Sequence, residues 1–330
     1  QSRSSAASDV YKRQKLMSIA ILAMAMSMVS CSGDDGEQGP QGAAGKDGTN
    51  GVDGTDGTNG VDGQDGQDKP NVDFYFQNGF KGYEGTQDVR ISDAFGDLNG
   101  AINAIADFGD PAFDVYTLIR FDGISEVITG SLVDGGQNCS DAFYVNQAVL
   151  YVYFDSFQTD SPTLSLQLGF YNPSDPLFTQ VDASWEHANQ TEFWSGGDGG
   201  LSANWVGPFP NTDNYGVVLP VSGGSSNNPG WYAIPLPRSI VNEWICNEAA
   251  NKGVRMRLAI NGGTSGSVSF FSSENLADDL RPVLVIETEK IDAQSGKGSF
   301  SNTKTKDWES MNYEEKMAPL HKFLEMKKTN

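Results

Sequence analysis

Beyond Pro70 the chain alternates between apolar and polar residues with a period of two. TLSLQLGFY (163–171) puts Leu164, Leu166, Leu168 and Phe170 on one face, and VRMRLAIN (254–261) does the same with Val254, Met256, Leu258 and Ile260. Successive side chains of a strand point to opposite sides, so this alternation predicts strands with one buried face. YTLIRFD (116–122), AVLYVYFDSF (148–157), SVSFFSSE (267–274) and PVLVIETE (282–289) are β-branched or aromatic runs of strand length. Clusters of Gly, Asn, Asp and Pro separate them, as in an antiparallel β-sandwich. One segment follows the helical period instead. Ile240, Val241, Trp244 and Ile245 recur within RSIVNEWICNEAAN (238–251), and Gly253 is the expected stop. The predicted fold is all-β, an antiparallel, jelly-roll-like sandwich with one short helix.

The first 70 residues obey a different rule. From Gly33 to Asp68 the sequence divides into twelve unbroken Gly-X-Y triplets. Three polyproline II-like chains meeting at a common axis leave room only for hydrogen at every third residue, so strict glycine phase predicts a collagen-like rod. Pro40 is the only proline in the segment, and nine Asp or Glu stand against Lys46 alone. Little of the chain is pre-set in φ, and three strands would crowd their carboxylates together. The rod therefore depends on cations or on a trimerising neighbour, and the same composition also fits a disordered, hydrated tether. The segment resembles bacterial collagen-like stalks, and that resemblance implies a homotrimer.

Residues 16–30, LMSIAILAMAMSMVS, form an uncharged run preceded by Lys12, Arg13 and Lys15 and ended by Cys31. The run is short for a membrane span and has the order of a secretory signal. MVSC resembles a bacterial lipobox, which implies cleavage before Cys31 and a lipid on its thiol. The following Ser-Gly-Asp-Asp-Gly-Glu is similar to the acidic tag that directs Bacteroidota lipoproteins to the outer face of the outer membrane. Residues 1–14 fit no signal-peptide n-region and read as non-native sequence. In an exported chain the two remaining cysteines, Cys139 and Cys246, are a disulfide candidate.

Charge narrows the partners. Residues 69–290 carry 27 acids against ten Lys or Arg, a balance of −17. That repels nucleic acid and anionic membrane surfaces and disfavours polyanionic glycans unless bound Ca²⁺ reverses the local sign.

The order of the strings LIRFD (118–122), QAVLYVYF (147–154), SWEHANQTEFW (184–194), SIVNEWI (239–245), FFSSE (270–274) and RPVLVIE (281–287) resembles the DNRLRE family of carbohydrate-binding-like domains over residues 72–290. The resemblance implies a β-sandwich module of secreted polysaccharide-degrading enzymes and surface proteins, some of which bind acidic algal polysaccharide. Two stretches depart from it, an inserted loop at 129–146 and the Gly/Asn/Pro-rich run 195–230.

Sandwiches bind sugars through aromatic side chains, with polar groups reading the hydroxyls. Trp185, Trp194 and Trp244 lie in the strings above and are expected in the core. Trp205, Tyr215 and Trp231 lie in Gly/Asn/Pro-rich sequence and are the binding candidates. Arg255 and Arg257 share one side of a strand, suited either to a carboxylated sugar or to a solvated face paired with acids. Asp107, Asp110 and Asp114 in DFGDPAFD (107–114) offer oxygen ligands for calcium, at a spacing unlike an EF-hand. His187, beside Glu186, reads as a partly buried structural histidine. No zinc, nucleotide-binding or serine-hydrolase motif is visible. A polysaccharide lyase or hydrolase needs only placed carboxylates or a Tyr/His base, so it stands as a further alternative. The tail 291–330 ends in YEEKMAPLHKFLEMKK, where Met317, Leu320, Phe323, Leu324 and Lys327 follow helical spacing interrupted by Pro319, which fits either a short amphipathic helix docked on the sandwich or a partner, or a frayed terminus. Taken together, the sequence predicts a non-catalytic, surface-anchored lipoprotein whose head binds polysaccharide or a cell-surface glycan. A structural or adhesive protein-binding role is the alternative.

Overall fold

The computed structural model describes residues 71–92, 100, 102–107, 114–159, 163–171, 173–195, 216–219, 229–261, 265–291 and 306–329. All belong to the compact unit Asp65–Asn330. The predicted signal, Cys31 and the Gly-X-Y repeat lie outside the described residues.

Among the described residues, eleven strands pair into one curled antiparallel sheet. They are β1 (Asn71–Phe76), β2 (Thr86–Ser92), β3 (Ile102–Asp107), β4 (Val115–Phe121), β5 (Phe143–Thr159), β6 (Thr163–Phe170), β7 (Gly216–Leu219), β8 (Gly230–Pro235), β9 (Val254–Asn261), β10 (Gly266–Phe271) and β11 (Val283–Lys290). Three α-helices accompany them among the described residues: α1 (Ile124–Leu132), α2 (Arg238–Cys246) and α3 (Tyr313–Thr329). The 17-residue β5 is the spine. Val149–Tyr151 pair with both β11 and β8, and Phe154 pairs with both β10 and β8. Hence β11 and β10 follow one another along one edge of β5, with β8 along the other.

The inward faces enclose the main core. Leu150, Val152 and Phe154 of β5, Ile119 and Phe121 of β4, Val254 and Met256 of β9, and Leu284 and Ile286 of β11 meet there. Two helices close this core with Ile124, Ile128 and Leu132 from α1 and Val241, Trp244 and Ile245 from α2. They are tied to each other. Glu248 accepts the backbone N–H groups of Gly123 (3.1 Å) and Ser125 (3.3 Å), placing a carboxylate at the N-terminus of α1, and Ser125 Oγ donates to Ile245 O at 2.6 Å. Cys139 and Cys246 form a disulfide with Cα atoms 5.5 Å apart, pinning the segment after α1 to the end of α2.

Two outward faces are also covered. Segment 173–195 lies over β2 and β4, burying Val89, Ile91, Tyr116 and Leu118 against Phe178, Ala183, Ala188 and Trp194. Helix α3 lies over β1, β11 and β5, packing Met317, Leu320 and Phe323 on Phe80, Val149, Tyr151, Val283 and Val285. Burial on both sides explains why β4 is buried at all seven positions, Thr117 and Arg120 included.

The structure corrects the sequence reading in three places. Among the described residues there are three α-helices, where the sequence allowed one in the head and a short one in the tail. The stretch 129–146 holds the end of α1 and the start of β5. Helix α2 stops at Cys246, well before Gly253. Gly253 instead has φ +77°, and a Cβ there would sit 2.5 Å from Ile119 O, so glycine lets this loop press on β4. The tail forms a 17-residue helix that continues through Pro319. Its start is fixed by a reciprocal cap: Asn312 Oδ1 accepts the N–H of Glu315 (2.9 Å), and Glu315 Oε2 accepts the N–H of Asn312 (2.8 Å). A buried apolar face offsets the backbone hydrogen bond that proline cannot make.

Candidate functional site

Part of the outer sheet surface beside α3 carries a row of apolar side chains. Along β5 the inward residues Leu150, Val152 and Phe154 alternate with the outward Val149, Tyr151 and Tyr153. Tyr151 lies under α3, and Tyr153 lies two residues further along the same face. The antiparallel register sets Trp231 of β8 directly opposite Tyr153. On the other edge, Phe270 points into the core and Phe271 outward, cross-strand from Ile102 of β3. Trp231, Tyr153, Phe271 and Ile102 thus form a stripe with one residue from each of four adjacent strands, roughly 14 Å long at the usual strand spacing. Tyr153 and Phe271 are stacked, with centroids 5.6 Å apart and planes 17° apart, and Tyr153 meets Trp231 edge-on at 5.6 Å. The three rings are half-buried and Ile102 is 43% exposed.

Polar groups border this stripe because β5 bulges. Phe154 and Phe157 are both buried although three residues apart, and the register with β10 slips between Ser269 and Phe270. The extra residue leaves Asp155 and Ser156 together on the outer face. Ser156 Oγ and Ser269 Oγ are 2.6 Å apart. Rings flanked by hydroxyls and a carboxylate can combine apolar contact with hydrogen bonding to hydroxyl groups.

Of the predicted binding residues, Trp231 lies in this stripe, on a strand rather than in a loop. Trp205 and Tyr215 lie outside the described residues. Tyr153, Phe271 and Ile102 were not singled out from sequence, although the outward phase of Tyr153 in AVLYVYFDSF was a usable signal.

Arg255 lies elsewhere and is not on a solvated face. It is 1% exposed, with its guanidinium 4.9 Å from the centre of the Tyr116 ring, and burial lowers its basicity. Arg257 is half-buried, its Nε donating to Gln167 Oε1 at 2.8 Å across the β9–β6 pairing. Both lie near Tyr116, on which the cover formed by 173–195 packs. There Trp185 stacks on Tyr116 at 5.2 Å, and Trp194 stacks on Tyr171 at 5.5 Å and donates Nε1–H to Ser184 O. The third expected core tryptophan, Trp244, is 5% exposed in the main core. His187 is half-buried with its ring 4.1 Å from that of Phe193.

The LIRFD string also has a structural explanation. Arg120 is 3% exposed; its Nε and Nη2 donate to Asp122 at 2.5 and 2.9 Å, its Nη1 donates to Phe178 O, and it lies 4.7 Å over the Phe178 ring. Phe121 between them points into the main core. The motif ties β4 to its cover.

Of the calcium candidates, Asp110 lies outside the described residues, and for Asp107 only the backbone, in β3, is described. Asp114 accepts a hydrogen bond from Tyr116 Oη at 2.8 Å. Among the described residues no group of three or more His, Cys, Asp or Glu is arranged to hold a metal ion.

No protein family matches this chain, and no curated protein matches it.

Proposed function

We propose that this protein is a surface-displayed carbohydrate-binding module, and the observation that carries the proposal is the stripe Trp231–Tyr153–Phe271–Ile102 beside Asp155, Ser156 and Ser269. Aromatic rings offer apolar area to the C–H surfaces of a pyranose, while the adjacent hydroxyls and carboxylate serve its O–H groups. The −17 balance of residues 69–290 favours a neutral polysaccharide over a polyanionic one. The curled sheet supports reading the head as a jelly-roll-like sandwich, and the order of LIRFD, QAVLYVYF and RPVLVIE supports kinship with the DNRLRE modules. We read the role as non-catalytic, with Asp155 and the two serines serving ligand hydroxyls.

In this reading Cys31 carries a lipid that anchors the chain at the bacterial outer membrane, and residues 33–68 are the stalk that lifts the head from the surface. Three wound stalks would present three weak heads at high effective concentration. The test is pull-down and calorimetry of the full chain against neutral and acidic polysaccharides, with and without Ca²⁺. Binding to a neutral polysaccharide, lost in Trp231→Ala, supports the reading. No binding to any member of the panel removes it and leaves the adhesive, protein-binding role. Released oligosaccharide in the same tubes identifies an enzyme.

A further inference from the structure

Trp231 belongs to two assemblies at once. It forms the end of the outer stripe through Tyr153, and it packs against the outer core to which α3 supplies Met317, Leu320 and Phe323. The helix is anchored on the same strand face: Tyr151 Oη donates to Lys316 O at 2.8 Å, and Tyr151 is two residues from Tyr153. Trp308, just before the helix, packs against the same core with Lys316 Nζ 5.1 Å from its ring centre.

The far half of α3 is fastened by charge. Lys322 Nζ reaches Asp73 Oδ2 at 2.5 Å, and Lys327 Nζ reaches Gln77 Oε1 at 2.8 Å and Asp279 Oδ1 at 3.0 Å. Asp73 stands directly opposite Glu287 in the β1–β11 pairing, so Lys322 is seated over two adjacent carboxylates. Residues 306–329 balance five Lys against five Asp or Glu; Lys306 pairs with Glu315 and Lys328 with Glu325 inside the tail, and Lys322 and Lys327 are the two that reach acids of the body.

We infer that the C-terminal helix is a positioning element of the stripe: its docking holds Trp231 in place, so that ligand binding and helix docking strengthen each other. The inference rests on the carbohydrate reading for its ligand, but the positioning itself does not. The helix lies beyond the 72–290 stretch that carries the resemblance.

The experiment uses the full chain labelled with fluorotryptophan, whose six tryptophans give separate fluorine signals, with Trp231 assigned from Trp231→Phe. Leu320→Asp puts a charge into the buried face of α3, and Lys322→Glu sets a third carboxylate against Asp73 and Glu287 from an exposed position. Hydrogen exchange over 313–329 confirms release of the helix. The expected result is a shifted or broadened Trp231 signal in both variants with the Trp244 signal unchanged, together with at least tenfold weaker binding to the polysaccharide retained by the wild type. Lys328→Glu, at the exposed end of the helix, leaves both unchanged. An unmoved Trp231 signal with the helix released overturns the inference, as does full affinity in the released state. If the wild type binds no polysaccharide, the binding reading fails, and the fluorine signal alone decides the positioning.

Discussion

Tyr153 and Trp231 face each other across β5 and β8, their ring centroids 5.6 Å apart and their planes nearly perpendicular. The pair joins two parts of one sheet surface, the part packed under α3 and the half-buried part beside it. Elsewhere, too, this fold covers its outer faces with added segments, and the covers explain several of its sensitivities.

Arg120 fastens segment 173–195 to β4. Its charge is 3% exposed, whereas Asp122 remains 41% exposed, so removing the arginine leaves a carboxylate that water can reach. Arg120→Ala is expected to destabilise the head by about 3 kcal/mol, at the lower end for a buried pair, through lost packing and the lost bond to Phe178 O. Urea unfolding measures it. The Trp194 environment should loosen with it.

The disulfide closes a loop with a sequence separation of 107. Chain-entropy arguments place its contribution at about 4–5 kcal/mol, with the mechanism model-dependent. A Cys139→Ala, Cys246→Ala double variant should lower the melting temperature by several degrees, and adding reductant to the wild type should reproduce that shift. The α1–α2 end of the main core is where hydrogen exchange should rise first.

Asp88 sets a pH dependence. It is 3% exposed and accepts hydrogen bonds from the Ser273 N–H (2.7 Å) and Oγ (2.9 Å), yet burial pushes its carboxyl up from 3.8 to about 6. The folded state therefore binds this proton more tightly than the unfolded chain does. Its contribution is fully present below about pH 4 and is lost as pH rises to about 6, a change of roughly 3 kcal/mol. Glu287, also raised by burial and by Asp73, acts in the same direction. The unfolding midpoint of the wild type should fall relative to that of Asp88→Asn between these pH values. A constant difference would refute the assignment.

The reciprocal Asn312–Glu315 cap starts α3. Asn312→Ala should weaken the helix by about 1 kcal/mol, seen as faster exchange over its first turn while the main core is unaffected.

Six strands were legible from the chain because β6 and β9 alternate about the main core, while β4, β5, β10 and β11 are β-branched or aromatic runs of strand length, and both signals are local. The α2 segment was equally legible, with Val241, Trp244 and Ile245 buried as their spacing requires. Strand β8 was hidden because GWYAIP begins with Gly and ends with Pro inside a Gly/Asn/Pro-rich run. Helix α1, ISEVITGSL, is rich in β-branched residues and contains Gly130, so its propensity opposes the helix that the core imposes. Arg255 shows the limit most clearly. Period two placed it opposite Met256, but it is buried beside Tyr116 and Tyr171, distant in sequence. The stripe was illegible for the same reason, since residues 102, 153, 231 and 271 meet only through strand order.

The most direct measurement is calorimetric titration of neutral polysaccharide into the full chain, its Trp231→Ala and Tyr153→Ala variants, and the Trp185→Ala variant at the covered face. The account predicts binding by the wild type, loss of tenfold or more in the first two variants, and retained affinity in the third. Equal affinity in all four, or no binding by the wild type, would contradict it.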